Sequence, residues 1–183
     1  VVKVLVAGVK IDPHEVEDVI MGCVDQVGEQ GFNIARNVAL IAGLPIDVCG
    51  VTLDRMCGSG QQAVNFAAMG VMSDQYDVVI AGGVEHMTRV PMGSNMQGPG
   101  EGPISPKLSG RYNIVHQGIS AELIAEKWGI KREELDRFSG ESHEKAGRAI
   151  REGRFARQIV PVTLADGSVF DTDEGVRTPV DRE

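Results

Sequence analysis

The sequence predicts an α/β fold on a mostly parallel sheet, for three reasons. Stretches that read as strands at residues 16–24, 48–56 and 77–84 alternate with stretches of helical periodicity at 33–42 and 58–72. The run at 77–84 (DVVIAGGV) places Val78, Val79 and Ile80 in succession, the pattern of a strand covered on both faces. Gly43, followed by Pro45, stops the first helical stretch where the chain must return to the sheet.

The elements follow in order. Residues 1–9 have strand-like composition, yet Lys3 and the Ala7-Gly8 pair also fit the tail of a helix, and periodicity leaves both readings open. Asp12-Pro13 is a turn signal, and residues 16–24 (VEDVIMGCV) end as an apolar, buried strand. A glycine-flanked loop spans 28–31, and residues 33–42 (NIARNVALIA) form a helix. Residues 48–56 read as a strand with Cys57 at its end. The next stretch, 58–72 (GSGQQAVNFAAMGVM), carries Ala, Met and Val around most of the helical circumference, so this helix is expected to be buried on nearly all sides. With the strand at 77–84, residues 1–87 read as repeated βα units.

Composition changes at Pro91. Residues 91–118 are rich in Gly, Pro, Ser and Asn, and structureless stretches of that length are usually functional loops or linkers. Two helices follow: 120–128, ended by Gly129, and 131–152, punctuated by Gly140 and Gly147 and ended by Gly153. Residues 159–164 and 168–171 flank Ala165-Asp166-Gly167 and read as a hairpin. Residues 88–183 therefore form an α+β insertion or lid beside the sheet.

A chain of 183 residues holds one core, or a core with an attached subdomain. No apolar run is long enough to span a membrane. A net charge of −8 argues against a broad nucleic-acid surface, while a handful of basic residues still suffices for a ligand with a few phosphates. Cys23, Cys49 and Cys57 make an odd count without metal-ligand spacing, and no signal-peptide pattern opens the chain. A reducing cytoplasm and the absence of a metal site are expected. The chain starts Val1-Val2 and stops at Arg182-Glu183 just past a polar turn, which reads as a piece of a longer protein.

The chemistry centres on Asp54-Arg55-Met56-Cys57-Gly58-Ser59-Gly60. A cysteine between a strand and the first turn of a helix sits where backbone N–H groups and the positive end of the macrodipole favour a thiolate. Gly58 and Gly60 remove side chains around the sulfur and let a substrate carbonyl approach the backbone, and the N–H of Cys57 is a candidate oxyanion donor. A buried structural cysteine is the plain alternative. A second alternative is a dinucleotide-binding unit, because GSGQQA fits G-x-G-x-x-A and Glu85 ends the next strand about where a ribose-binding acid belongs. Against it, Asp54, Arg55 and Met56 lead into the glycines where such a strand is normally apolar.

The segments DRMCGSGQQAV, VVIAGGVEHMTRVP, HQGISAE and DRFSGESHEKAGRAIREGRF resemble successive motifs of the thiolase family, in order and across essentially the whole chain. The resemblance implies a thiolase-like fold in which residues 1–87 correspond to the N-terminal half, incomplete at its start, and 88–183 to the loop domain. It also implies that residues 1–9 end a helix. It puts Cys57 on the acyl-accepting nucleophile, its N–H on an oxyanion donor, His116 beside the pantetheine arm of CoA, and Arg177, in DTDEGVR, near the CoA nucleotide. Without the resemblance, His116 reads as a loop histidine and Arg177 as a surface arginine. Gln117 departs from the Met usual in acetyl-specific members, which points to a longer or bulkier acyl group and to degradation.

Glu85 and His86 are expected to shape the strand end, and His14 and His143 to lie on solvated surface. The implied substrates are acyl-CoA and CoA, with no further cofactor, and the implied assembly is a homodimer or homotetramer. The family's Gly-His-Pro histidine, second cysteine and Asn-bearing segment find no match here, since none of the four histidines precedes Pro. Residues 1–183 alone are therefore expected to lack turnover. A non-catalytic CoA-binding or assembly fragment is the remaining alternative.

Overall fold

A computed structural model describes residues 1–180. The chain divides into two compact units, Val1–Pro106 and Lys107–Glu183.

The first unit is built on three parallel strands, β1 (Asp18–Gly22), β2 (Cys49–Leu53) and β3 (Val79–Gly83), in the order β2-β1-β3. Asp18 to Gly22 pair in step with Cys49 to Leu53 on one side and with Val79 to Gly83 on the other. Every residue of β1 is buried, as its apolar run predicts for a central strand. Its side chains alternate between two cores. Val19 and Met21, with Ile80, pack against Ala35 and Ala39 of α2 (Ile34–Ala42), while Ile20 packs against Ala63 and Ala67 of α3 (Ser59–Met72). Helices thus cover both faces, the doubly wound arrangement expected of an α/β chain.

Residues 2–9 form α1 (Val2–Val9), the helix that the resemblance implies. Val2 and Val6, four residues apart, join the α2 core, so tertiary burial overrides the β-propensity of the valines. Asp12 caps a single 3-10 turn at Pro13–Glu15 by accepting the His14 N–H at 3.0 Å. Helix α2 ends at Gly43 in the left-handed conformation (φ 81°), as the Gly-Pro signal predicts.

Helix α3 departs from expectation. Only Ser59, Gln62, Ala63 and Ala67 are buried, and Val64, Phe66, Met69, Val71 and Met72 are exposed. The all-round apolar composition is real, but within this chain α3 has a single covered face.

Two strand glycines set how closely the helices approach the sheet. A Cβ on Gly50 would stand 2.7 Å from the Arg36 N, and one on Gly22 would stand 2.4 Å from both the Gly60 N and the Ser59 carbonyl carbon. The first turn of α2 lies on β2 and that of α3 on the end of β1, on opposite faces, and only glycine permits either contact.

The first unit continues past the sheet because a buried carboxylate holds the following loop. Asp25, 1% exposed, accepts the Asn95 N–H at 3.0 Å and the Gly93 N–H at 3.4 Å. Beside it, Gln30 donates to the Asp25 carbonyl at 2.9 Å and to Glu85 at 2.6 Å, and accepts the His86 N–H at 2.7 Å. Glu85 also accepts the Val24 N–H at 2.8 Å. Glu85 and His86 thus shape the strand end, as expected, within a buried network whose members are paired with one another.

In the second unit, α5 (Gln117–Trp128) and α6 (Arg132–Arg151) are the two expected helices, and β4 (Val162–Thr163) and β5 (Val169–Phe170) form the expected hairpin with shorter strands. A helical turn, α4 (Pro106–Ser109), interrupts the loop before them. Gly140 and Gly147, two turns apart on α6, receive the chain at 178–180: a Cβ on Gly147 would meet the Thr178 methyl at 2.5 Å, and one on Gly140 the Val180 side chain at 3.3 Å. The glycines that punctuate α6 are therefore a groove for the returning chain.

Candidate active site

Cys57 is exposed and lies in a tight turn between the end of β2 at Leu53 and the start of α3. The strand is shorter than the stretch that reads as one, since residues 54–58 leave the sheet. Gly58 caps α3, so the thiol precedes the helix by two residues. The nearest N–H groups are already used: Gly58 donates to the Arg55 carbonyl at 3.1 Å and Ser59 to the Met56 carbonyl at 3.0 Å. Both bonds tighten the loop around Cys57.

Side chains complete this turn. Met56 takes a left-handed backbone (φ 47°), unusual for a residue with a side chain, and its N–H is bound by the Asp54 carboxylate at 2.7 Å. Buried Ser59 accepts the Arg55 N–H at 2.9 Å and donates to the Met56 carbonyl at 2.6 Å. The Arg55 guanidinium donates to Gln62 on the next turn of α3. A Cβ on Gly60 would meet nothing within 4 Å, so open space adjoins the first turn of the helix.

The other cysteines are in different surroundings. Cys49 is exposed on the edge strand β2. Cys23 is 1% exposed beneath the Gln30 network. Burial pushes its thiol up to about 11, the carboxylates of Glu85, Asp25 and Asp54 push the same way, and the Gln30 hydrogen bond opposes them. A folded state that keeps a proton the unfolded chain has lost is destabilised as pH rises from about 9, where a free thiol ionises, towards about 11. With iodoacetamide at pH 8, Cys57 and Cys49 are expected to be alkylated and Cys23 to stay protected until the protein unfolds. Equal labelling of all three in the folded protein contradicts this assignment.

His116, Gln117 and Arg177 belong to the second unit. His116 is the N-cap of α5, its Nδ1 accepting the Gly118 N–H at 3.2 Å, and Gln117 opens the helix; both are exposed. The capping bond fixes the tautomer and leaves the proton on Nε2. Arg177 is exposed, and its backbone N–H is bound by His143 Nδ1 of α6 at 3.2 Å. His143 is half-buried and occupied, against the solvated surface expected of it, while His14 is exposed as expected. Among the described residues no cluster of His, Cys, Asp and Glu is placed to hold a metal, and no helix is long and apolar enough to cross a membrane.

Residues 1–183 match the family described as "Thiolase, N-terminal domain". The chain belongs to the thiolase family. It is 46% identical over 175 residues to the steroid 3-ketoacyl-CoA thiolase FadA6 of Mycobacterium tuberculosis, a match that spans 91% of this chain and 43% of that protein. It is likewise 46% identical over 168 residues to the 3-ketoacyl-CoA thiolase of Idiomarina loihiensis, across 90% of this chain and 42% of the relative. The crystal structure of the Bacillus anthracis acetyl-CoA acetyltransferase superposes with a TM-score of 0.79 at 36% identity, over 98% of this chain and 49% of that one. The thiolase chain thus spans less than half the length of these relatives.

These similarities support the thiolase fold and lend nothing to the dinucleotide-binding alternative. Glu85 instead accepts bonds from the Val24 N–H and from Gln30, which ties it to the strand end. The sequence reading missed Ser59, Gly22, Gln30 and His143. Gly22 had a local signal, a glycine closing an otherwise apolar strand; the others act through partners remote in the fold or through a bend that sequence spacing does not reveal.

Proposed function

We propose that this chain supplies the acyl-accepting cysteine of a 3-ketoacyl-CoA thiolase. The observation that carries the reading is the exposed Cys57 thiol on a braced turn two residues before α3, within a chain whose relatives carry that activity in their names. The Cys57 thiolate attacks the keto carbon of a 3-oxoacyl-CoA and the carbonyl oxygen takes the negative charge, for which the Cys57 N–H is one donor. The tetrahedral adduct collapses, the bond between the keto carbon and its neighbour breaks, and the departing carbanion takes a proton to become acetyl-CoA. A second CoA thiol then attacks the Cys57 thioester, giving the shortened acyl-CoA and free Cys57; condensation is the reverse. CoA and acyl-CoA are substrates, and the route calls for no prosthetic group.

His116 and Gln117 at the start of α5 line the approach of the pantetheine arm in this reading, and Arg177 meets the CoA nucleotide. Open space beside Gly60 suits a thioester close to the backbone. Gln117, together with the similarity to a steroid thiolase, supports an acyl group larger than acetyl. The proton carrier and the second thiol lie outside residues 1–183, which by themselves do not turn over. The whole protein works in the cytoplasm as a homodimer or homotetramer. The test is to incubate the full-length protein with 3-oxoacyl-CoA substrates of increasing acyl size, quench, and weigh the Cys57 peptide. An acyl adduct on Cys57 supports the reading; adducts elsewhere, or none with any chain length, refute it.

A further inference from the structure

We infer that Ser59 is a positioning residue for the Cys57 thiol. This rests on the proposed role of Cys57 and adds a device that sets its reactivity. The Ser59 hydroxyl reaches back over the turn and brackets the two residues that lead into the cysteine, taking the Arg55 N–H at 2.9 Å and giving its own proton to the Met56 carbonyl at 2.6 Å. It is 4% exposed, so these two bonds have little competition from water. They span a strained stretch of backbone: Met56 is left-handed, a conformation a residue with a side chain keeps only when its surroundings enforce it.

Ser59 is itself fixed from behind. Its carbonyl carbon lies where a Cβ on Gly22 would come within 2.4 Å, so the residue is seated on the end of β1 with no room to retreat. The sheet therefore locates Ser59, and Ser59 locates the backbone of Arg55 and Met56 that leads into the thiol. Loss of the hydroxyl leaves the Arg55 N–H without this partner and the Met56 carbonyl with only the Ser59 N–H, which frees Met56 to leave the left-handed region and turns Cys57 away from its orientation.

The experiment is Ser59→Ala in the full-length protein. Acyl-enzyme formation at Cys57 is expected to slow about ten- to a hundredfold while KM for acyl-CoA changes less than about twofold, because orientation of the attacking atom is lost and substrate binding is not. In the same sample, alkylation of Cys57 relative to Cys49 is expected to fall at least about threefold, with Cys23 still protected. Unchanged acylation and an unchanged Cys57-to-Cys49 ratio overturn the inference. So does exposure of Cys23, which makes Ser59 a determinant of the whole fold and not of the turn. A wild-type protein that is alkylated at Cys57 yet takes no acyl group sinks the proposed function instead, and the alkylation ratio still decides the role of Ser59.

Discussion

A Cys57→Ala variant of the full-length protein is expected to form no acyl-enzyme and to lose at least about a thousandfold in turnover, with binding of acyl-CoA retained. The side chain is exposed and makes no packing contribution that its loss would remove, so the fold is expected to survive. That separation makes the variant informative: thermal unfolding close to wild type with loss of the acyl adduct assigns the nucleophile. Cys57→Ser sharpens the test, since a hydroxyl at the same place lacks the thiolate's nucleophilicity. Its residual turnover is expected to stay near that of the alanine variant. Turnover within about tenfold of wild type in either variant would assign the chemistry to another group.

The second large effect is structural and reaches the same site from behind. Gly22→Ala places a methyl 2.4 Å from backbone atoms of Ser59 and Gly60, and backbone at the start of a packed helix cannot swing aside as a side chain does. Either the first turn of α3 lifts from the sheet or the end of β1 bends, at a cost of about 2–4 kcal/mol in folding stability. Chemical denaturation measures it as a lower midpoint with an unchanged slope. Because the lifted turn carries Ser59, acylation of Cys57 is expected to fall as well. Gly60→Ala is the control: its Cβ meets open space, so stability is expected to hold or to rise by up to about 1 kcal/mol from the better helix former. A Gly22→Ala protein as stable as wild type would show that the close approach is absent in solution.

The two thiols best separated by this fold, Cys23 and Cys57, share some local features. Both follow a strand and both stand near glycines. What the sequence by itself determined was the alternation of strands and helices, the stop at Gly43, the hairpin at Asp166-Gly167, and the place of Cys57 between a strand and a helix. Those features are local: they depend on period, on left-handed glycines, and on residue types within a few positions of one another.

Tertiary structure decided the rest. Residues 1–9 are helical because Val2 and Val6 find an apolar surface on α2, which outweighs the preference of valine for strands. Helix α3 keeps one covered face because, among the described residues, the sheet and Tyr76 lie against that side, whatever its composition invites. Cys23 keeps its proton because burial, with the carboxylates of Glu85, Asp25 and Asp54, outweighs the Gln30 hydrogen bond, and Glu85 and Asp54 come to it from tens of positions away in sequence. Cys57 is presented because Gly22 on β1 lets Ser59 come close enough to hold the turn. Contacts of that kind join residues tens of positions apart, and their strength depends on ångström-scale fit and exclusion of water, which periodicity does not encode.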